Sequence, residues 1–396
     1  MNKIITVIPK PFYFEKGNKT FSFSSKSVSL SITGEDQENI YKTIEKAFSL
    51  SGITISKKGI PVIIQILKEE ISADKESYTL NLNEKGFYIK ATAVNGAFYA
   101  SITAAQNING SNGEYTELSI RDKAQHSWRG FLLDTCRSFY STDFIKKMLD
   151  ACALHKLNIF HWHLTDDQGW RFNVPGYPKL TEKGSVRADL TMPPSEEGFY
   201  DEGKSIRRWY TDEEIKEIVS YAQECCIEII PEVEFPGHSS ALLAAYPEYG
   251  CTGGPYKVEN RWGIFPDVLC LGNDEVFTIY QAALKKITQL FPGKYIHIGG
   301  DECPHERWEV CPKCRERMKK EGLDSAAQLQ AWGTTKIASM VAELGKIPIG
   351  WDEVLDNNKH NALPENVIVQ SWRGTEVGIK AASMNHKVIM SPCDRF

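Results

Sequence analysis

The chain has no basic cluster, no long apolar run and little net charge, and each lack removes a class of function. Across 396 residues, 46 Lys and Arg face 51 Asp and Glu, leaving a net charge of −5. Without a run of lysine or arginine there is no footprint for a nucleic-acid backbone or an anionic membrane surface, so no nucleic-acid partner is expected. No stretch approaches the roughly 18 apolar residues that a membrane span needs. The opening, Met1-Asn-Lys-Ile-Ile-Thr-Val-Ile-Pro-Lys-Pro11, is too short in apolar residues for a secretory signal. As written the chain is expected to be cytoplasmic, and periplasmic or secreted if a leader has been lost.

What is present points to a globular protein. A hydrophobic fraction of 42% and a charged fraction of 24% suit a large buried core, enough for two domains or one large barrel with an extension. Ten cysteines are many. Cys136, Cys152 and Cys225 lie in apolar elements and read as small core residues. Cys303-Pro-His305 followed by Cys311-Pro-Lys-Cys314 offers three thiolates and an imidazole, a donor set that suits structural zinc. A single Cys-x-x-Cys spacing is a weak signal, so free thiols or a redox-dependent disulfide are expected there, and no metal or cofactor is assigned.

The first 123 residues read as a small α+β domain. Pro61–Leu67, Tyr78–Leu82 and Gly86–Ala91 are β-rich runs bounded by turn residues. Ile40, Ile44, Ala47 and Phe48 fall at helical spacing before Gly52, and a second helix is predicted over Asn95–Ile108. Turn residues near Gly110–Gly113 and the polar stretch Arg121–Gln125 place the boundary near residue 123.

From residue 124 to 396 the pattern becomes strand, polar loop, helix, repeated. Seven strands are predicted: Gly130–Thr135, Asn158–Leu164, Ile227–Val233, Tyr295–Gly299, Ile347–Gly350, Val367–Gln370 and Lys387–Met390. Near-continuous apolar strands alternating with helices imply a parallel sheet, and polar groups after each strand suit a (β/α)8 TIM barrel. A doubly wound sheet is the alternative, disfavoured because no Gly-rich phosphate loop follows the first strand. Seven strands leave the barrel one βα unit short.

The strand ends carry the chemistry. Asp134 and Arg137 follow the first; His161, His163, Asp166 and Asp167 the second; Glu232, Glu234 and His238 the third. Asp301 and Glu302 follow the fourth, Trp351, Asp352 and Glu353 the fifth, Trp372 and Arg373 the sixth. Carboxylates, imidazoles, an arginine and indoles at one mouth describe a sugar site, since indoles match the C–H faces of sugars and charged groups match their hydroxyls. His161-x-His163 would also suit a metal-dependent hydrolase, but the fifth strand end offers Trp-Asp-Glu and the sixth Ser-Trp-Arg, with no histidine or lysine ligand. Asp301 and Glu302 alone could be an acidic turn. Adjacent side chains on a strand point to opposite faces, and the preceding Gly299-Gly300 would let both turn into one cavity.

Five segments carry a resemblance: Arg129–Arg137, Lys156–Arg171, Pro231–His238, His297–Glu302 and Gly350–Glu353. Together they resemble glycoside hydrolase family 20, the β-N-acetylhexosaminidases, from about residue 5 onward. The resemblance implies an exo-acting enzyme that removes terminal β-linked N-acetylglucosamine or N-acetylgalactosamine from glycans, with the substrate's own 2-acetamido oxygen as nucleophile. It implies Glu302 as acid and base, Asp301 as partner of the acetamido N–H, and Arg137 as holder of the 3- and 4-hydroxyls. Asp166 and His238 correspond to a pair behind the acid, and Trp351 and Trp372 to walls of the acetamide pocket. A family Tyr-x-Asp motif after the seventh strand, and a Trp and an acid in the last βα unit, have no counterpart before Phe396. The chain is therefore expected to be a fragment or truncated product, weakly active at best, or an inactive sugar-binding remnant.

Overall fold

The computed structural model describes residues 7–33, 37–67, 74–187, 206–356 and 363–391. The expectation about the chain's final residues, 392–396, lies outside them, as do Met1–Thr6. Two compact units are present. One is centred on the residues up to Phe131 and also takes in Thr142–Phe160 and Ser220–Glu228; the other holds the remainder.

The first unit contains a six-stranded mixed sheet in the order Tyr13–Ser22, Glu114–Asp122, Tyr78–Asn83, Gly86–Ala91, Ile60–Ile66, Val28–Thr33. Helices Gln37–Leu50 and Val94–Ser111 pack together, and the second lies on the sheet. Ile40, Ile44, Ala47 and Phe48 are buried, as their spacing predicts. Three strands, Tyr13–Ser22, Val28–Thr33 and Glu114–Asp122, escaped the sequence reading. Tyr13–Ser22 has a largely exposed, polar face, and Glu114–Asp122 hides its apolar residues, Tyr115, Leu118 and Ile120, among charged ones. Its last residues, Arg121 and Asp122, are strand, where the sequence suggested linker.

The second sheet has seven strands, Gly130–Asp134, Ile159–His163, Glu228–Glu232, Tyr295–His297, Ile347–Trp351, Ile368–Ser371 and Val388–Met390, each beside its predecessor in the chain. From the third strand onward the pairings are parallel, with Glu232 opposite His297, His297 opposite Ile349 and Trp351 opposite Gln370. This sequential, curled parallel sheet is the TIM-barrel-like fold, represented by seven strands among the described residues. All seven predicted strands are present.

Local signals hold the connecting helices in place. Thr211 and Glu214 cap the helix Asp212–Glu224 reciprocally: Thr211 N–H donates to Glu214 Oε2 at 2.7 Å, and Glu214 N–H to Thr211 Oγ1 at 3.2 Å. Ser325 caps Ala326–Glu343 by accepting from Gln328 N–H, and Gly345 follows at φ +74°. Among the described residues no helix is long and apolar enough to cross a membrane.

Candidate active site

The fourth barrel strand ends at His297, and the chain then leaves regular geometry. Gly299 and Gly300 take φ of +67° and +109°, and Glu302 takes +44°, a left-handed conformation uncommon for a residue with a side chain. A Cβ on Gly299 would lie 1.8 Å from Glu234 Oε2, so any other residue there would have to displace that carboxylate. The turn brings Asp301 and Glu302 to one side. Asp301 Oδ2 lies 3.4 Å and Glu302 Oε2 3.7 Å from the same atom, His238 Nε2.

His238 also has a positive φ, +44°, and is buried. Its Nδ1 hydrogen-bonds Asp167 Oδ2 at 2.9 Å, while Asp166 Oδ1 lies at 3.4 Å. Asp167 is held in turn by Ser240, whose N–H and hydroxyl donate to Oδ1 at 2.9 and 2.6 Å. Burial would lower the basicity of His238, but the carboxylates of Asp166, Asp167 and Asp301 outweigh it and raise the imidazole pKa well above its usual value.

Arg137 forks between two carboxylates: Nη1 to Asp134 Oδ2 and Nη2 to Asp166 Oδ2, both 2.8 Å. The Cys136 and Arg137 backbone N–H groups also donate to Asp134 Oδ1, each at 2.9 Å. Against the cost of burial, His238 and Arg137 hold Asp166 well below the usual carboxylate range. Deeper still, Glu232 is fully buried and gathers Trp351 Nε1 at 2.8 Å, His297 Nδ1 at 2.9 Å and His161 Nε2 at 3.0 Å. Burial brings the His161 pKa down to about 4, and the three surrounding imidazoles keep Glu232 ionised despite its own burial.

The architecture and this cluster can be set beside known proteins. The description "Glycosyl hydrolase family 20, catalytic domain" matches residues 126–396, and "Glycosyl hydrolase family 20, domain 2" matches residues 5–123. The chain belongs to glycosyl hydrolase family 20. A β-hexosaminidase of Porphyromonas gingivalis is 36% identical over 406 residues, covering 99% of this chain and 50% of that protein. The human β-hexosaminidase subunit beta is 30% identical over 309 residues, covering 76% and 51%. Among solved structures, the family 20 exo-β-N-acetylglucosaminidase of Vibrio harveyi, determined with N-acetylglucosamine bound, superposes with a TM-score of 0.82 at 26% identity, covering 98% of this chain and 60% of that one. A β-N-acetylhexosaminidase of Bacteroides fragilis gives 0.79 at 29% identity, covering 97% and 74%. The chain spans about half the length of the curated relatives it matches.

Of the residues singled out from sequence, Arg137, Asp166, His238, Asp301 and Glu302 form one chain of contacts. Trp351 reaches that group through Glu232 and then His163, which lies 3.7 Å from Glu232 and 3.5 Å from Asp166, and Trp372 donates Nε1 to Glu353 at 3.0 and 3.2 Å. Three further strand-end residues, Asp167, Glu353 and Glu234, were named from sequence without a role. Asp167 takes the hydrogen bond to His238; the Asp-Asp pair was visible, but the short hairpin of Thr165–Asp166 and Gly169–Trp170 breaks the alternation that would tell its members apart. Glu353 is pushed up to about 7, chiefly by burial and in part by Asp301. Glu234 is buried with neither carboxyl oxygen hydrogen-bonded among the described residues, and burial, then Asp301 and Glu232, raises its pKa well above the usual range.

The donor set suggested for zinc is corrected. His305 Nε2 engages Gln330 Oε1 at 2.7 Å and its ring stacks on Trp308, while Cys303 Sγ turns to the Pro304 carbonyl at 3.8 Å. Cys311 and Cys314 instead meet Cys251 and Cys270.

Proposed function

We propose that the chain carries the catalytic machinery of an exo-acting β-N-acetylhexosaminidase, removing terminal β-linked N-acetylglucosamine or N-acetylgalactosamine from glycans with retention through the substrate's own acetamido group. One observation carries this reading. Asp301 and Glu302 are chain neighbours whose carboxylates approach the same imidazole nitrogen at 3.4 and 3.7 Å, a placement we read as one flank of the bound sugar. Retaining glycosidases that use a protein nucleophile need two carboxyls on opposite sides of the scissile bond, about 5 to 5.5 Å apart. With both on one flank, the nucleophile comes from the substrate.

Glu302 is then the acid that protonates the leaving oxygen and the base that deprotonates the incoming water. Its side chain is the more exposed of the two, 34% against 17%, as a group that meets leaving group and water should be. Asp301 receives the acetamido N–H, orients the carbonyl oxygen toward the anomeric carbon and faces the positive charge of the oxazolinium ion that forms. His238, anchored by Asp166 and Asp167, holds both carboxylates in register. Arg137 presents paired donors to the 3- and 4-hydroxyls, its own charge balanced by Asp134 and Asp166. Trp351 and Trp372 supply indole walls to the acetamide pocket. We take residues 124–396 as the catalytic domain and residues 1–123 as the accessory α+β domain.

The test is hydrolysis of a chromogenic β-N-acetylglucosaminide by this chain and by a version extended through an eighth βα unit, with a series bearing one, two and three fluorines on the acetyl group. An acetamido nucleophile requires the rate to fall with each fluorine, and Glu302→Gln to abolish most of it. A rate indifferent to fluorination, or an extended Glu302→Gln enzyme as fast as the parent, refutes the reading.

A further inference from the structure

Away from the sugar site, four cysteines from distant parts of the chain converge. Cys251 lies in the turn after the short helix Pro247–Tyr249. Cys270 follows the bridge between Gly250 and Leu269 and donates its N–H to the Tyr249 carbonyl at 2.8 Å. Cys311 is the N-cap of the helix Pro312–Glu321, and Cys314 sits in its first turn.

Their sulfurs lie at 3.8 Å for Cys251 and Cys314, 3.8 Å for Cys270 and Cys311, and 3.6 Å for Cys270 and Cys314, with all four within 4.8 Å of one another. Zinc–sulfur bonds of about 2.3 Å in a regular tetrahedron separate neighbouring sulfurs by about 3.8 Å. A disulfide needs about 2.05 Å, a separation none of these three pairs approaches. Cys270, Cys311 and Cys314 are buried. Small apolar side chains would fill such a core without aiming at one point, whereas these four sulfurs share a centre.

The backbone supports the same geometry. A Cβ on Gly272 would lie 2.2 Å from the Lys313 carbonyl carbon and 2.5 Å from Cys314 N, so the loop carrying Cys270 packs backbone to backbone on the Cys-x-x-Cys turn.

We propose that Cys251, Cys270, Cys311 and Cys314 bind one zinc ion as a closed tetrathiolate site. Four protein ligands leave no position for water or substrate, so the ion is structural. Binding converts four thiols and an aqueous Zn²⁺ into a zinc tetrathiolate and four released protons when all four thiols begin protonated, with no change of oxidation state. The ion ties the loop after the third barrel strand, which carries His238, to the loop after the fourth, which carries Asp301 and Glu302. Two further contacts cross the same seam: Trp308 Nε1 donates to the Leu269 carbonyl at 2.8 Å, and Arg307 Nε to Asp267 at 2.7 Å.

The 396-residue chain, purified under reducing conditions without added metal, is expected to hold one zinc per molecule by inductively coupled plasma mass spectrometry. A thiol-binding mercurial should release that zinc in step with four titrated thiols. Replacement by cobalt(II) should produce the thiolate-to-cobalt charge-transfer and visible bands of a tetrahedral all-sulfur site. Cys303→Ser and His305→Gln should each keep the full zinc content, and a Cys251→Ser/Cys270→Ser double variant should lose it. Should that double variant fail to fold, the wild-type zinc content, mercurial release and cobalt spectrum still decide. Less than a tenth of an equivalent of zinc after incubation with zinc sulfate, two disulfides in the freshly reduced protein, or zinc lost from Cys303→Ser but kept in the double variant, would each overturn the proposal.

Discussion

Replacing Asp301 by Asn tests the proposed mechanism most directly, because it keeps shape and removes charge. The Asp301 side chain is 17% exposed, and its Oδ1 is buried without a hydrogen-bond partner among the described residues. That free oxygen is available for an acetamido N–H. A positive charge developing about 4 Å from the carboxylate, at an effective dielectric near 20, is stabilised by about 4 kcal/mol. At roughly 1.4 kcal/mol per decade this corresponds to about a thousandfold in rate. Asn still offers a carbonyl oxygen to the N–H, so substrate binding should change far less than turnover. The assay is kcat and KM on a chromogenic β-N-acetylglucosaminide with the extended enzyme, alongside thermal unfolding. The expected result is a fall of about two to three decades in kcat, a KM within a few-fold and a melting temperature within a few degrees. A fall in kcat of less than tenfold, with the fold intact, would refute the electrostatic role given to Asp301.

Gly299→Ala should disrupt the site through strain rather than charge: its Cβ would meet Glu234 Oε2 at 1.8 Å on a backbone at φ +67°, and a loss of about 2 kcal/mol or more in urea unfolding is expected. An unchanged midpoint would show that Glu234 can retreat. Trp351→Phe keeps an apolar wall but removes the 2.8 Å hydrogen bond to buried Glu232, which should cost about 2 kcal/mol by the same assay. His238 has a folded pKa above its ordinary value of 6.5, so folding favours its protonated form. Its contribution to stability is complete below about pH 6.5 and fades as pH rises through the folded value. Wild-type melting temperature should therefore decline between pH 6.5 and 9 more steeply than that of His238→Gln, and parallel profiles would contradict the charged imidazole.

Much of this molecule is local information, and local information survives in a single sequence. The seven barrel strands announce themselves because each is a short apolar run followed by polar residues, and the helices between them carry their own caps at Thr211 and Ser325. The Gly299-Gly300-Asp301-Glu302 turn was legible because glycine before paired carboxylates has a conformational meaning, which positive φ at Gly299, Gly300 and Glu302 bears out. Of the strands missed, Tyr13–Ser22 and Glu114–Asp122 have faces too polar for their pattern to separate them from loop.

What the sequence determined by itself, then, was the order of elements and the family, because both reside in contiguous motifs. Which groups meet was decided only by tertiary structure. Asp167 rather than Asp166 takes the hydrogen bond of His238 because a short hairpin re-aims both, 71 residues from the imidazole. Cys311 and Cys314 turn away from their neighbours Cys303 and His305 toward Cys251 and Cys270, 63 and 44 residues from Cys314 along the chain. Spacing constrains partners within a few residues, whereas partners on different βα loops are chosen by the curl of the sheet that brings those loops together.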